Sequence, residues 1–137
     1  MNYLKVYCDG GARGNPGPAG IGVVIIDAKN QQKKFKKFIG VKTNNQAEYL
    51  AVLFALKKIK SGFKSAQKID FYLDSELVVK QLRGEYKIKN EELGRLLIKV
   101  RNFIIKNNLT ADFYHVRREK NHQADKLVNK AIDERVL

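Results

Sequence analysis

The chain has 137 residues, 27 Lys and Arg against 14 Asp and Glu, a net charge of +13 at pH 7, one cysteine and no tryptophan. That length suits a single domain over 1–137 with a core large enough to need no disulfide or structural metal, and a lone cysteine, Cys8, excludes an internal disulfide and a cysteine-built zinc site. No apolar run reaches the roughly 18 residues of a membrane span, and a strand-like segment from residue 3 leaves no space for a secretory leader, so a cytoplasmic protein with no membrane contact is expected. The positive surplus attracts polyanions and favours nucleic acid over neutral metabolites.

Alternation of apolar and polar residues predicts strands over 3–9 and 20–27, joined by a Gly and Pro-rich loop from Gly10 to Gly20. Cys8 falls on the apolar side of the first strand and reads as a small core residue. Residues 32–40 alternate lysines with Phe35, Phe38 and Ile39, the pattern of an edge strand protected by charge. Ala47, Leu50, Ala51, Phe54 and Ala55 recur at helical spacing through about Ser61, with Asn45 as the expected N-cap. A strand over 68–73 precedes a short helix that stops near Gly84. Leu93, Leu96, Leu97, Val100, Phe103 and Ile104 form the apolar stripe of a longer helix that ends at Asn107 and Asn108. A last strand over 110–116 leads, through a basic loop, to a helix beginning at Asn121 or His122. The order βββαβααβα implies an α/β domain with one mixed sheet, an antiparallel meander first and helical crossovers after it.

Four acidic residues stand at the ends of these elements. Asp9 ends the first strand in Val6-Tyr7-Cys8-Asp9-Gly10-Gly11, and Asp74 ends the fourth in Phe71-Tyr72-Leu73-Asp74-Ser75. Glu48 in Thr43-Asn44-Asn45-Gln46-Ala47-Glu48 and Asp125 in Asn121-His122-Gln123-Ala124-Asp125 fall in the first turns of two helices. Each has an ordinary alternative: Glu48 as the acid of a capping box with Asn45, Asp74 as a helix cap, Asp125 as a complement to a helix dipole. Adjacent strand ends and helix starts can share one edge of a sheet, and carboxylates gathered there require hard divalent cations, Mg²⁺ above all.

With these flanking residues the chain resembles a type 1 ribonuclease H from about Val6 to Leu127. The segment from Asp9 to Gly20 is similar to the family's first-hairpin signature, and the blocks containing Glu48, Asp74-Ser75 and Asn121 to Asp125 follow in the family's order. The resemblance implies a ribonuclease H-like fold, a five-stranded mixed sheet in the order 3-2-1-4-5 flanked by helices, with the second strand antiparallel to the others. It also implies endonucleolytic hydrolysis of the RNA strand of an RNA-DNA hybrid, leaving 5′-phosphate and 3′-hydroxyl ends. Asp9, Glu48, Asp74 and Asp125 would then be catalytic and hold two Mg²⁺, with Mn²⁺ able to substitute. Asp9 would bridge both ions, Asp125 would complete the water-binding side, and Glu48 and Asp74 would serve the leaving group. Gly10, Gly11, Asn15, Asn44, Asn45, Ser75 and Asn121 would face the substrate, with Asn15, Asn44 and Asn45 reading the 2′-hydroxyl, while Thr43 and Asn90 would meet phosphate on the DNA strand.

The chain departs from the family in three places. Only Gly84 to Asn90 separates the two middle helices, which leaves no room for a basic handle, and there is no tryptophan to face a sugar, so Tyr86 is the available ring. The loop Val116 to Asn121 is short and basic and carries no histidine. Arg118 is the expected phosphate contact there, with His122 a possible auxiliary. A monomer without an obligate protein partner is expected. The competing reading is a catalytically silent nucleic-acid-binding domain on the same fold.

Overall fold

The computed structural model describes residues 3–63 and 68–135. In β1 (Tyr3–Ala12), Leu4, Val6 and Cys8 are buried while Lys5 is exposed and Tyr3 and Tyr7 are half-buried. The other strands are β2 (Gly17–Ile26), β3 (Gln32–Lys42), β4 (Lys68–Leu73) and β5 (Thr110–His115). They form one sheet in the order β3-β2-β1-β4-β5. β2 runs antiparallel to β1 and β3, whereas β4 is parallel to both β1 and β5. This is the expected topology.

The first hairpin is tighter than the sequence suggested. β1 and β2 remain paired through Gly11 opposite Gly20 and Ala12 opposite Ala19, and the turn is closed by Arg13 N–H donating to Pro18 O at 2.9 Å. Gly10, Gly11 and Gly20, expected in a loop, lie instead inside the ladder, where glycine lets a helix approach the sheet. A Cβ on Gly10 would sit 2.2 Å from the Ala47 carbonyl oxygen, and one on Gly22 would sit 2.2 Å from that of Ala124.

The two approaching helices lie on opposite faces. On one face α1 (Asn44–Gly62) buries Ala47, Tyr49, Ala51, Val52, Ala55, Leu56 and Ile59 against Val6, Cys8, Ile21 and Val23. α2 (Glu76–Leu82) and α3 (Glu91–Lys106) complete that core with Val78, Val79, Leu93, Leu97 and Val100. On the other face α4 (His122–Glu134) lays Ala124, Val128, Ala131 and Ile132 over the glycines of β2. Gly84, at φ +79°, supplies the left-handed residue after α2.

Two local expectations are corrected. Thr43, not Asn45, caps α1: its hydroxyl accepts from Gln46 N–H at 3.1 Å, and Gln46 Oε1 accepts from Thr43 N–H at 2.9 Å. Gln46 fills the third position of the capping box, so Glu48 has no capping role. The basic loop before α4 contains a 3-10 turn, Arg118–Asn121, which sets the direction of that helix.

Candidate active site

Parallel pairing of β1 with β4 brings Asp9 and Asp74 to the same edge of the sheet, since Tyr7 faces Tyr72 across the ladder and each acid follows two residues later. Glu48 arrives from α1, seated by the absence of a side chain at Gly10, whose N–H donates to Glu48 Oε1 at 3.1 Å. Asp9 and Glu48 are each only 6% exposed, and Asp74 is half-buried. One carboxylate oxygen from each of the three lies within 4.8 Å of the others. Asp125, in the first turn of α4, lines the same cavity of about 500 Å³ without entering that tight triad. Asp74 is not a helix cap, because Ser75 Oγ accepts from Val78 N–H at 3.3 Å and takes that place.

Burial first, then the charge of Glu48, pushes the Asp9 carboxyl far above the ordinary range, with Asp74 and Asp125 adding to the effect. Burial likewise raises Glu48, and it raises Asp74 against the opposing pull of Arg118 and a hydrogen bond from Asn121. Glu48 Oε2 is buried without a hydrogen-bond partner. A buried acceptor left in that state is costly, and a cation is the partner its chemistry suits. The oxygen-only donor set, the crowding and the orphaned lone pairs fit hard divalent metal ions.

Apart from Asn121 and His122, the remaining expected residues divide into three groups. Gly10, Gly11, Asn44, Asn45, Ser75 and Arg118 line the acidic cavity. Asn15 supports it: Asn15 Oδ1 accepts from Asn44 N–H, and Asn44 Oδ1 accepts from Ala12 N–H, both at 2.9 Å, tying the hairpin turn to the start of α1. Thr43 and Asn90 lie outside it as caps of α1 and α3, Asn90 Oδ1 accepting from Leu93 N–H at 3.1 Å.

Asn121 and His122 require correction. Asn121 is 1% exposed and donates through Nδ2 to Cys8 O at 2.8 Å, so it anchors the start of α4 to β1 and has no surface for substrate. His122 is exposed on a separate cavity with Tyr7, Val24 and Gln32, where its Nδ1 lies 3.0 Å from Glu119 O. It does not line the cavity that holds the four carboxylates. Cys8 is fully buried, its thiol pushed up by desolvation, as a core residue should be. The Tyr86 ring is covered by Lys80 at 4.9 Å.

Two polar lining residues, Asn129 and Arg13, were not among those expected from the sequence. Asn129 follows Asp125 by one helical turn and donates to its carbonyl at 3.1 Å, a spacing that could have drawn notice. Arg13 reaches across from the hairpin to Asp133 at 2.6 Å and to Asn129 Oδ1 at 3.3 Å, a contact made only by folding.

A family described as Reverse transcriptase-like matches residues 7–131. The bifunctional protein Rv2228c of Mycobacterium tuberculosis is 36% identical over 95% of this chain, which spans only 35% of that relative's length. A ribonuclease H of Paracidovorax citrulli is 33% identical, over 97% of this chain and 96% of its own. Among solved structures, LC11-RNase H1 in complex with an RNA/DNA hybrid superposes with a TM-score of 0.91 at 42% identity, covering 98% of this chain and 99% of that one. The sheet order, the four carboxylates on one edge and the likenesses to the Paracidovorax citrulli ribonuclease H and to LC11-RNase H1 agree, and the chain belongs to the type 1 ribonuclease H family.

Proposed function

We propose that this protein hydrolyses the RNA strand of RNA-DNA hybrids, with Asp9, Glu48, Asp74 and Asp125 holding two Mg²⁺, or Mn²⁺ in their place. The single observation that carries the reading is the buried, unpartnered Glu48 Oε2 beside two further carboxylates within 4.8 Å, in a chain of net charge +13. A centre that demands cations inside a surface that attracts polyanions suits metal-assisted attack on a phosphodiester. Bound there, the ions supply an activated water and charge stabilisation for the departing 3′ oxygen, which leaves 5′-phosphate and 3′-hydroxyl ends.

The chain's own groups place the substrate. Asn44 and Asn45 offer amide donors at the cavity wall, and Gly10 and Gly11 let a sugar come close to the backbone; together these suit recognition of a 2′-hydroxyl. Asn15 holds Asn44 in position. Thr43 spends its oxygen lone pair on the cap and keeps its hydroxyl proton for a phosphate on the other strand. Arg118 offers its guanidinium to a phosphate at the mouth, with Ser75 beside it. Asn90, outside the cavity, has its oxygen committed to capping α3 and contributes at most an amide donor to the DNA strand. A silent binding domain would not need Asp9, Glu48 and Asp74 crowded where burial opposes their ionisation without metal.

The test is incubation of the protein with labelled RNA-DNA, RNA-RNA and DNA-DNA duplexes in Mg²⁺ and in Mn²⁺, alongside Asp9→Asn. Cleavage of the RNA strand of the hybrid, lost with chelator and reduced at least a hundredfold in Asp9→Asn, is expected. Near-normal turnover in Asp9→Asn would sink the metal assignment, and an inert wild type would return the protein to the silent class.

A further inference from the structure

Beyond the acidic cavity, a groove of about 330 Å³ runs between α1 and α3, with Lys42, Arg95 and Lys99 on its walls. Lys42 ends β3 and immediately precedes the cap Thr43, while Arg95 and Lys99 are one turn apart on α3. Its one acid, Glu92, already accepts a hydrogen bond from the Gln46 side chain, and Arg95 has only a 3.5 Å contact with Glu91. Lys42 and Lys99 have no ion-pair partner among the described residues. The apolar part of the wall is limited to Leu50 and Leu96. Such a lining repels metal ions, offers little to an apolar ligand and attracts a row of phosphates.

The position of the groove selects its occupant. The N-terminus of α1 separates the two sites: Asn44 and Asn45 face the acidic cavity, whereas Lys42 and Gln46 face the groove. A duplex lying over the carboxylates and reaching past Thr43 would bring its backbone to Lys42 first and then to Lys99. We infer that the α1–α3 groove is a phosphate-binding extension of the active site, in which Lys42, Arg95 and Lys99 hold the backbone of a long hybrid several nucleotides from the cleaved bond. This rests on the proposed hybrid activity. The three residues position substrate and take no part in bond breaking.

The distinguishing property is dependence on duplex length. Binding is measured in the Asp9→Asn protein, so that hybrids stay intact, with a short hybrid of about 6 base pairs, roughly 20 Å at 3.4 Å per step, and a long one of about 18. Lys42→Gln with Lys99→Gln is expected to weaken the long hybrid about tenfold near physiological salt. It should also flatten the slope of log K against log salt by between one and two, at about 0.9 per lost phosphate contact. The short hybrid should bind as before. With Asp9 restored, the same double substitution should raise KM on long hybrids and leave kcat unchanged, and Lys42→Arg with Lys99→Arg should recover the wild-type slope.

An unchanged slope on the long hybrid, or equal losses on short and long, would overturn the inference and leave the groove to another partner such as an acidic protein surface. If wild type cleaves hybrids while the slope is unchanged, only the groove assignment falls. If wild type neither binds nor cleaves hybrids, the functional reading falls with it. Thermal melting of each variant separates lost contacts from lost folding.

Discussion

Asp9 shows how one residue carries both the function and a cost to the fold. Its carboxyl is 6% exposed beside Glu48 and Asp74, so ionisation in the metal-free protein is opposed by burial and by like charge. A carboxyl whose pKa is raised on folding binds its proton more tightly folded than unfolded. The penalty is therefore absent below the ordinary carboxylate pKa and grows as pH rises above it. Asp9→Asn is neutral at every pH and escapes that penalty. In chelator it should melt several degrees above wild type at pH 8 and close to it at pH 4 to 5. Mg²⁺ should narrow the gap by binding wild type preferentially. Melting curves across pH, with and without metal, are the measurement, and a wild type more stable than Asp9→Asn at pH 8 in chelator would contradict the electrostatic account. The acid itself was legible because it closes an alternating strand before two glycines. Its burial was not, because that depends on Ala47 and Glu48 of α1 arriving against Gly10.

At the scale of elements, α4 owes its position to glycines in a strand that it does not adjoin in sequence. A methyl group at Gly22 would meet Ala124 O at 2.2 Å and Leu127 Cβ at 2.7 Å, contacts that only a shift of the helix can relieve. Gly22→Ala should cost about 1 to 3 kcal/mol, the usual range for overpacking, and should also reduce activity, since Asp125 follows Ala124 directly. Gly94 in α3 has nothing within 4 Å of its would-be Cβ, so Gly94→Ala should gain about 0.5 to 1 kcal/mol from helix propensity and leave catalysis intact. Denaturant unfolding and hybrid cleavage on both variants make the comparison, and equal effects would show that helix placement does not depend on these glycines. Helices and strands themselves were readable from periodicity, apart from the 3-10 turn before α4. The hairpin was misjudged because glycine marks close packing as well as loops, and only the partner helix tells them apart. The cap of α1 was misplaced by two residues because Thr43, Asn44 and Asn45 are all good N-caps in sequence.

The whole molecule sets an acidic centre in a basic body. β3 lies at the sheet edge with Lys33, Lys34, Lys36 and Lys37 along it, and of these only Lys36 has an acidic partner among the described residues, Glu134 at 3.2 Å. These charges protect the edge from pairing with another strand and add to the field that gathers polyanions. Hybrid affinity should therefore fall at least tenfold between about 50 and 200 mM salt, as counterion release requires for several phosphate contacts. Titrations over that range provide the check, and a flat response would mean that binding rests on uncharged contacts. Among the described residues no helix is long and apolar enough to cross a membrane.

The sequence by itself determined the element order, which depends on local periodicity, and it singled out four carboxylates by the short motifs beside strand ends and helix starts. The sheet order came from the resemblance to the ribonuclease H family, because strand pairing is not a local property. Tertiary structure decided the remainder. It packed Asp9, Glu48 and Asp74 into one triad and left Asp125 at the wall, set His122 on a separate cavity, buried Asn121 as an anchor and brought Arg13 to the rim. Those outcomes depend on distances between elements far apart in the chain, set by which glycines admit a helix and which side chains hold it off.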